Sequence, residues 1–129
     1  AEHVEQDMKA PVMFWNTTEL FAAMKNDFDK RRQYADYETT IDKLLSFTGL
    51  LFLDDIGAEK PSEWVAEQLY LLVNRRYERG YVTCFTSNLP ISELSERLGD
   101  RTASRIAEMC DIYPLTGADR RIAAAKARK

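Results

Sequence analysis

The chain has 129 residues, of which 45% are hydrophobic and 30% charged, a composition typical of a globular protein with one core. Its formal net charge of −3 excludes an overall basic field for nucleic acid, so any such contact must be local. No apolar run is long enough to span a membrane and none has the form of a secretory signal, so we expect a cytoplasmic protein without membrane contact.

The first part of the chain predicts a strand among three helices. Residues 1–9 are polar and favour a helix, and residues 12–15 indicate a short buried strand. Asn16, with Glu19 three residues later, is a capping pair for the next helix. A second short helix follows at residues 39–47.

The rest of the chain continues the alternation of strand and helix. After a strand at residues 50–53, we predict an amphipathic helix that ends at Gly80. The later elements are a β-rich segment at 81–86, helices at 91–98 and 101–109, a strand at 112–115, and an Ala-rich basic helix from about 119 to the end. This alternation predicts parallel strands in an α/β fold, and Pro114 suits an edge strand.

The strongest motif is the segment Leu50–Gly57, where four large apolar residues run into two adjacent carboxylates, Asp54 and Asp55. A short uninterrupted apolar run predicts a strand buried on both faces, and α/β sheets bind ligands at the carboxyl ends of such strands. The pattern is that of a Walker B segment, in which one carboxylate holds Mg²⁺ through water and the next orients the attacking water. The alternative is a buried strand followed by an Asp-rich turn.

Further candidates follow in the second half of the chain. Asn88 ends a strand, where its amide can order a water or contact a phosphate, or can simply belong to an Asn-Leu-Pro turn. Arg101 and Arg105 lie four residues apart on one helix face, as an arginine finger or as a solvated face. Arg121 can contact a nucleotide within the subunit or belong to an exposed basic tail.

The cysteines and the histidine indicate no metal site. Cys84 and Cys110 lie in apolar surroundings, far apart in the sequence, and His3 is near the amino terminus. We expect two buried free thiols in a reducing compartment.

Taken in order, these motifs resemble the bacterial replicative helicase loaders of the DnaC/DnaI type, within the AAA+ ATPases, over about residues 12–121. The resemblance implies a three-layer parallel-sheet core and an ATP–Mg²⁺ site. It assigns Asp54 to Mg²⁺, Asp55 as the catalytic acid, Asn88 as sensor 1, Arg105 as the arginine finger and Arg121 as sensor 2. Many loaders have Glu where Asp55 stands, and the shorter Asp predicts a slower reaction.

The resemblance divides the single partial AAA+ domain into a helical insertion at 16–47, a Walker B to sensor 2 core at 48–121, and a basic tail at 122–129. In the family this insertion helps to bind single-stranded DNA. The insertion carries four basic side chains beside Tyr34 and Tyr37, namely Lys25, Lys30, Arg31 and Arg32. Basic groups among aromatic ones suit phosphate contact with base stacking, although a solvated helix end is the alternative.

No P-loop motif occurs, because none of the five glycines is followed by lysine. In the resembling family the P-loop lies just upstream of a segment like residues 1–13, and its strand lies between those matching 82–86 and 112–115. We therefore expect a gap there, direct pairing of the two strands, or another chain in the slot. A complete five-stranded sheet from this chain alone would show that the alignment is wrong. We also expect weak ATP binding and no ATPase activity from the chain alone.

The leading interpretation is the ATPase domain of a helicase loader, with the replicative helicase and single-stranded DNA as partners and side-by-side self-assembly through Arg105. A rival is a transposition ATPase of the IstB type, which shares motifs like Arg75–Arg79 and Ser87–Pro90. The segment Gly99–Arg105 favours the loader. A third interpretation is an interaction module with the same fold and no ATP chemistry.

Overall fold

A computed structural model describes residues 11–114 and 121–125. Short loops connect its strands and helices. These elements are β1 (Val12–Asn16), α1 (Thr17–Gln33), α2 (Thr40–Ser46), β2 (Leu50–Asp54), α3 (Glu63–Arg79), β3 (Thr83–Ser87), α4 (Ile91–Leu98), α5 (Asp100–Met109), β4 (Cys110–Pro114) and β5 (Arg121–Ala125). The elements predicted from α1 to β4 are confirmed, with ends that shift by at most two residues. The helix predicted at residues 1–9 lies outside the described residues.

Local capping explains where the helices begin and end. The Asn16 side chain accepts hydrogen bonds from the first turn of α1, which confirms its predicted role as a cap. Thr39 and Asp42 form a reciprocal capping box at α2, and the Ser62 side chain caps α3. Gly80 adopts φ 69° and ends α3 in the left-handed conformation that glycine tolerates best.

The sheet has five strands in the order β1-β2-β3-β5-β4. The first three are parallel, with Phe14 opposite Phe52 and Phe52 opposite Cys84. This confirms the predicted α/β class with parallel strands, because helices connect each of these strands to the next. β4 lies at an edge, as Pro114 predicts.

The carboxyl-terminal segment corrects the sequence prediction. Residues 121–125 form a strand rather than a helix, and β5 runs antiparallel to both β3 and β4. The expectation of a gap, of direct pairing or of another chain in this slot is therefore wrong. Alanine favours a helix, but a strand here pairs the backbone groups of two neighbours that would otherwise expose them.

One face of the sheet packs against the helices. Leu51, Leu53 and Phe85 are at most 1% exposed and belong to one apolar cluster with α1 and α3 residues. On the opposite face, Phe14 stacks on Phe52 with ring centroids 5.2 Å apart and is 60% exposed within the described residues. The core therefore lies on the helical face, and along β2 buried positions alternate with half-buried ones.

A buried guanidinium connects α3 to the amino ends of two strands. Arg76 is 1% exposed and donates from Nε to Thr83 Oγ1 at 2.7 Å. Its Nη atoms donate to the carbonyl oxygens of Phe47 (2.8 Å), Gly49 (2.6 Å) and Val82 (2.9 Å). Burial lowers the pKa of Arg76 to about 10, so the group is still a cation at neutral pH.

Candidate functional site

The predicted carboxylates lie at the carboxyl edge of the parallel strands. Asp54 is the last residue of β2, and its register partner Asn16 is the last residue of β1. Asp55 follows directly, and Asn88 comes one residue after the end of β3. The structure thus brings Asp54, Asp55 and Asn88 to the edge at which α/β sheets bind ligands.

A threonine connects the two carboxylate residues. Thr86 Oγ1 donates a hydrogen bond to Asp54 Oδ1 at 2.5 Å and accepts one from the Asp55 backbone N–H at 2.8 Å. Thr17 Oγ1 donates to the Asp54 carbonyl oxygen at 2.8 Å. These contacts fix the Asp54 carboxylate against β3 and the Asp54 backbone against α1.

Sequence reasoning missed Thr86. Thr86 stands two residues before Asn88. The register that pairs Leu53 with Phe85 also places the Thr86 hydroxyl beside Asp54. No local motif encodes that register.

The chain turns sharply immediately after Asp54. Asp55 has φ 60°, which is the left-handed region that Asp tolerates better than most residues. The turn is held from β3, because Ile56 N donates to Thr86 O at 2.7 Å and Ser87 Oγ donates to Ile56 O at 2.7 Å. A conformation that costs about 1 kcal/mol or more persists because these bonds determine it.

Gly57 closes the turn under tight steric limits. Its φ is 90°, and a Cβ built there would lie 2.5 Å from Leu94 Cδ2. Arg97 Nη1 donates to the Gly57 carbonyl oxygen at 2.8 Å. The loop after the carboxylates is therefore packed against α4 and has little room for a side chain.

The donor set fits a Mg²⁺ ion that keeps most of its water. Mg²⁺ takes hard oxygen ligands and is often held by one or two carboxylates together with waters and substrate phosphates. An ionised carboxylate has about four lone-pair sites, so Asp54 can accept from Thr86 and from a metal-bound water. Within residues 11–114 and 121–125 no cluster of three or more metal-ligating side chains occurs. The described residues are therefore compatible with a hydrated ion beside Asp54 but do not form a metal-ligating cluster by themselves.

The backbone of Arg121 reaches the same edge by an unexpected route. Arg121 is the first residue of β5 and pairs with Ser87, one residue before Asn88. Because β5 is antiparallel, its beginning lies at the carboxyl edge of β3. The structure thus brings the Arg121 backbone to the edge from a strand, and its side chain is outside what the structure describes.

The two arginines of α5 face α3. Arg105 donates from Nε to Asn74 Oδ1 at 2.9 Å, pairs with Glu108 at 3.1 Å, and lies over the Tyr77 ring at 4.7 Å. Burial opposes its charge, but Glu108 and the tyrosines Tyr70 and Tyr77 leave the pKa of Arg105 above its ordinary value. An arginine finger would have to leave these partners to reach another subunit.

Arg101 makes the equivalent contact one turn earlier on α5. It lies over the Tyr70 ring at 4.1 Å and donates to Glu67 at 3.3 Å. Its side chain is 63% exposed, against 33% for Arg105. Arg101 is therefore the more accessible of the two arginines.

The residues predicted to bind nucleic acid lie along the second half of α1, and they differ in whether they contact other side chains of the chain. Lys25 and Arg32 are exposed, whereas Arg31 pairs with Asp42 at 2.8 Å. Lys30 lies over the Tyr37 ring at 5.7 Å. All four basic side chains thus lie on one helix, and two of them, Lys30 and Arg31, already contact other residues of the chain.

Tyr37 is held by a buried carboxylate. Its hydroxyl donates to Asp27 Oδ1 at 2.9 Å, and the other carboxylate oxygen accepts from Thr40 N at 2.5 Å. The hydrogen bond to Asp27 raises the pKa of Tyr37. Tyr37 therefore has a structural role that a stacked base would have to share.

The prediction of two buried free thiols is confirmed in that both are free, but only one of them is buried. Neither Cys84 nor Cys110 is in a disulfide, and Cys110 is buried while Cys84 is half-buried on the open face of the sheet. Among the described helices, none has both the length and the apolar character needed to cross a bilayer.

Comparison with known proteins identifies the family. A family model described as IstB-like ATP binding protein matches residues 6–124. The phage-like element PBSX protein XkdC of Bacillus subtilis (strain 168) is 31% identical over 108 residues, which cover 80% of this chain and 38% of that protein. The chain thus spans 38% of the length of this relative. No solved structure matches significantly.

The five-stranded sheet counts against the detailed alignment with the loaders, whereas the match shows the family. That alignment assumed a helical carboxyl terminus, whereas β5 itself lies almost wholly within the matched range of 6–124. The fifth strand therefore changes the topology of the slot but not the family. The chain belongs to the IstB-like ATP-binding protein family.

Proposed function

We propose that the chain is part of the ATPase domain of a DNA replication helicase loader. The parent protein would bind ATP with Mg²⁺, hold single-stranded DNA and deliver the replicative helicase. The observation that carries the proposal is the carboxylate pair that Thr86 connects at the sheet edge, in line with Asn88. The sequence Gly99–Arg105 supports the loader over other members of the family.

Each residue of the edge has a task in this proposal. Asp54, oriented by Thr86, would hold Mg²⁺ through a water, and Asp55 would orient the water that attacks the terminal phosphate. The Asn88 amide is exposed and can donate to that phosphate or water. Mg²⁺, when bound with ATP, would neutralise the charge that develops on the phosphate oxygens.

In an assembly, a neighbouring subunit would supply a further positive charge to the phosphates through Arg105. Arg105 would exchange its contacts with Asn74 and Glu108 for a neighbour's phosphate, with Arg101 in support. Because Glu108 is half exposed, the ion pair that must break is screened by solvent and weak. Arg121 would contribute from within the subunit.

The chain alone should bind ATP poorly, because no P-loop is encoded and β5 fills the slot between β3 and β4. Titration of the 129-residue chain with a fluorescent ATP analogue tests this point. We expect no saturation at micromolar concentrations. Micromolar affinity would show that ATP binds here without the usual phosphate cradle.

A binding competition tests the loader assignment against the transposition alternative. The immobilised chain is offered a replicative DNA helicase and, in parallel, a transposase of the kind that IstB-type ATPases assist. Retention of the helicase alone supports the loader. Retention of the transposase alone would refute it in favour of the transposition helper, which the family description IstB-like supports.

An interaction module without ATP chemistry is the second candidate. β5 favours it, because this strand occupies the position where the family resemblance puts the P-loop strand. In this case Asp54→Asn should leave every partner affinity unchanged. For the ATPase, the same change should lower the effect of ATP–Mg²⁺ on partner binding in the parent protein.

A further inference from the structure

Two aromatic side chains from different helices meet at the surface beside the basic end of α1. Phe28 of α1 and Trp64 of α3 form an edge-to-face pair, with ring centroids 5.0 Å apart and planes inclined at 63°. Phe28 is 42% exposed. Trp64 is half-buried and packs against the core, so the pair keeps only part of its apolar ring surface open to solvent.

A groove lies on each side of this aromatic pair. One groove of 310 Å³ opens toward the end of α1 and is lined by Arg31, Arg32, Thr39, Asp42 and Gln68 together with the two rings. The other, also of 310 Å³, is lined by Lys25, Asp29 and Ser62. Each volume is at the lower end of the range for small-ligand pockets, which is enough for a single planar group beside the rings.

The charge around the pair is locally positive in an acidic chain. Four of the six charged side chains between residues 25 and 33 are basic, while the whole chain has net charge −3. In the first groove, Asp42 is paired with Arg31, which leaves Arg32 exposed beside the rings. In the second groove, Asp29 offsets Lys25. The first groove is therefore the better one for an anion.

Aromatic faces beside exposed guanidinium groups match the chemistry of a single nucleic-acid strand. Its bases present flat faces for stacking, and its phosphates follow at regular spacing. In a duplex those faces are covered by neighbouring base pairs, so the match is specific to unpaired bases. Of the two tyrosines that the sequence favoured, Tyr37 is already bonded to Asp27 and lies beneath Lys30, whereas Tyr34 is 62% exposed.

We propose that the Phe28–Trp64 pair is a stacking platform for one unpaired base of single-stranded DNA, with the adjoining phosphate on Arg32. The inference rests on the proposed function, and it assigns the base contact to residues of two helices rather than to the tyrosines after α1. Trp64, which belongs to α3 and not to the helical insertion, is then part of the DNA-binding surface.

Trp64 reports directly on this contact. The chain has two tryptophans, and Trp15→Phe leaves Trp64 as the sole indole. We expect its emission to be quenched and saturable on titration with a dT12 oligonucleotide. An abasic strand of the same length should bind more weakly and leave the emission unchanged, because it offers phosphates without bases. Fluorescence anisotropy of a labelled dT12 measures binding independently.

Substitutions separate stacking from charge. Trp64→Ala should weaken dT12 binding by roughly 5- to 150-fold, the range expected for loss of one stacked base, and Trp64→Phe should restore part of it. Arg32→Gln should reduce the slope of log affinity against log salt by about 0.7, since one phosphate contact is lost. Arg79→Gln is the charge control, because this exposed residue lies about 22 Å from Trp64 along α3.

The outcomes distinguish the inference from the proposed function. If dT12 binds by anisotropy while Trp64 emission stays constant and Trp64→Ala binds equally well, the platform is refuted and DNA binding stands. If the abasic strand quenches Trp64 as strongly as dT12, the contact is not stacking and the inference fails. If the folded chain, checked by circular dichroism, binds no single strand at all, both the platform and the proposed DNA contact are refuted.

Discussion

Replacing Arg76 by alanine tests the most buried charge in the described structure. The change removes the donor that the Phe47 and Gly49 carbonyl oxygens receive at 2.8 and 2.6 Å, together with the partner of Thr83. Val82 O keeps a second donor, the Leu51 N–H at 3.1 Å. Two partly buried carbonyls that lose their donor cost up to about 1–3 kcal/mol each, and the side-chain stem also loses packing.

The cost of burying the cation offsets part of this loss, because alanine has no charge to desolvate. We therefore expect Arg76→Ala to lower the free energy of unfolding by about 3–5 kcal/mol, a large share of the stability of a small domain. Arg76→Lys keeps the charge but cannot direct donors to all four oxygens, so its loss should be smaller.

Urea unfolding followed by circular dichroism measures the effect, with Arg75→Ala as the matched control. Arg75 is the neighbouring arginine on α3 and is exposed, so its removal should cost no more than about 0.5 kcal/mol. Equal midpoints for the two alanine variants would refute the view that Arg76 holds the amino ends of β2 and β3 together.

Three other changes test single contacts. Desolvation raises the pKa of Asp42, but the Thr39 hydrogen bonds and Arg31 outweigh it and lower the pKa below its ordinary value of 3.8. The ionised Asp42 therefore stabilises the fold above pH 3.8, and this contribution is lost as the pH falls through the lower folded-state value. Asp42→Asn should make the urea midpoint change less between pH 5 and pH 2 than it does in the unsubstituted chain. Thr86→Val should cost about 1–3 kcal/mol of unfolding free energy, and Thr86→Ser, which keeps the hydroxyl, should cost less. Burial raises the pKa of Cys84, so iodoacetamide should modify it more slowly at pH 7.5 than a free thiol, and a rate equal to that of glutathione would contradict its half-buried position.

The parts of the fold that local chemistry determines were predictable from the sequence. Asn16 caps α1 and Gly80 ends α3 where the sequence indicates, because these signals act within one turn of the chain. The segment Leu50–Asp54 forms a strand because an apolar run of this length has few other solutions. Asp54 and Asp55 then lie at the carboxyl edge of the sheet because they directly follow the apolar residues of this strand in the sequence.

β5 was not predictable, because its conformation depends on partners far away in the sequence. The alanines after Ile122 favour a helix locally, yet they pair with residues 84–85 and 110–112. Two open strand edges offer ladder hydrogen bonds on both sides, and this gain exceeds a helix propensity of a few tenths of a kcal/mol per residue. The site contacts of Thr86 and the stacking of Arg105 on Tyr77 are hidden from sequence for the same reason.

The buried Arg76 and the hydroxyl of Thr86 act on the same pair of strands from opposite ends. Arg76 bonds Gly49 O and Val82 O just before β2 and β3 begin, and Thr86 bonds Asp54 where they end. A slip of one residue between these strands would send the Asp54 carboxylate to the other face of the sheet. Because both ends are fixed, the three register pairs between them cannot shift independently. The position of the carboxylates therefore depends on a guanidinium that lies at the far end of the strands.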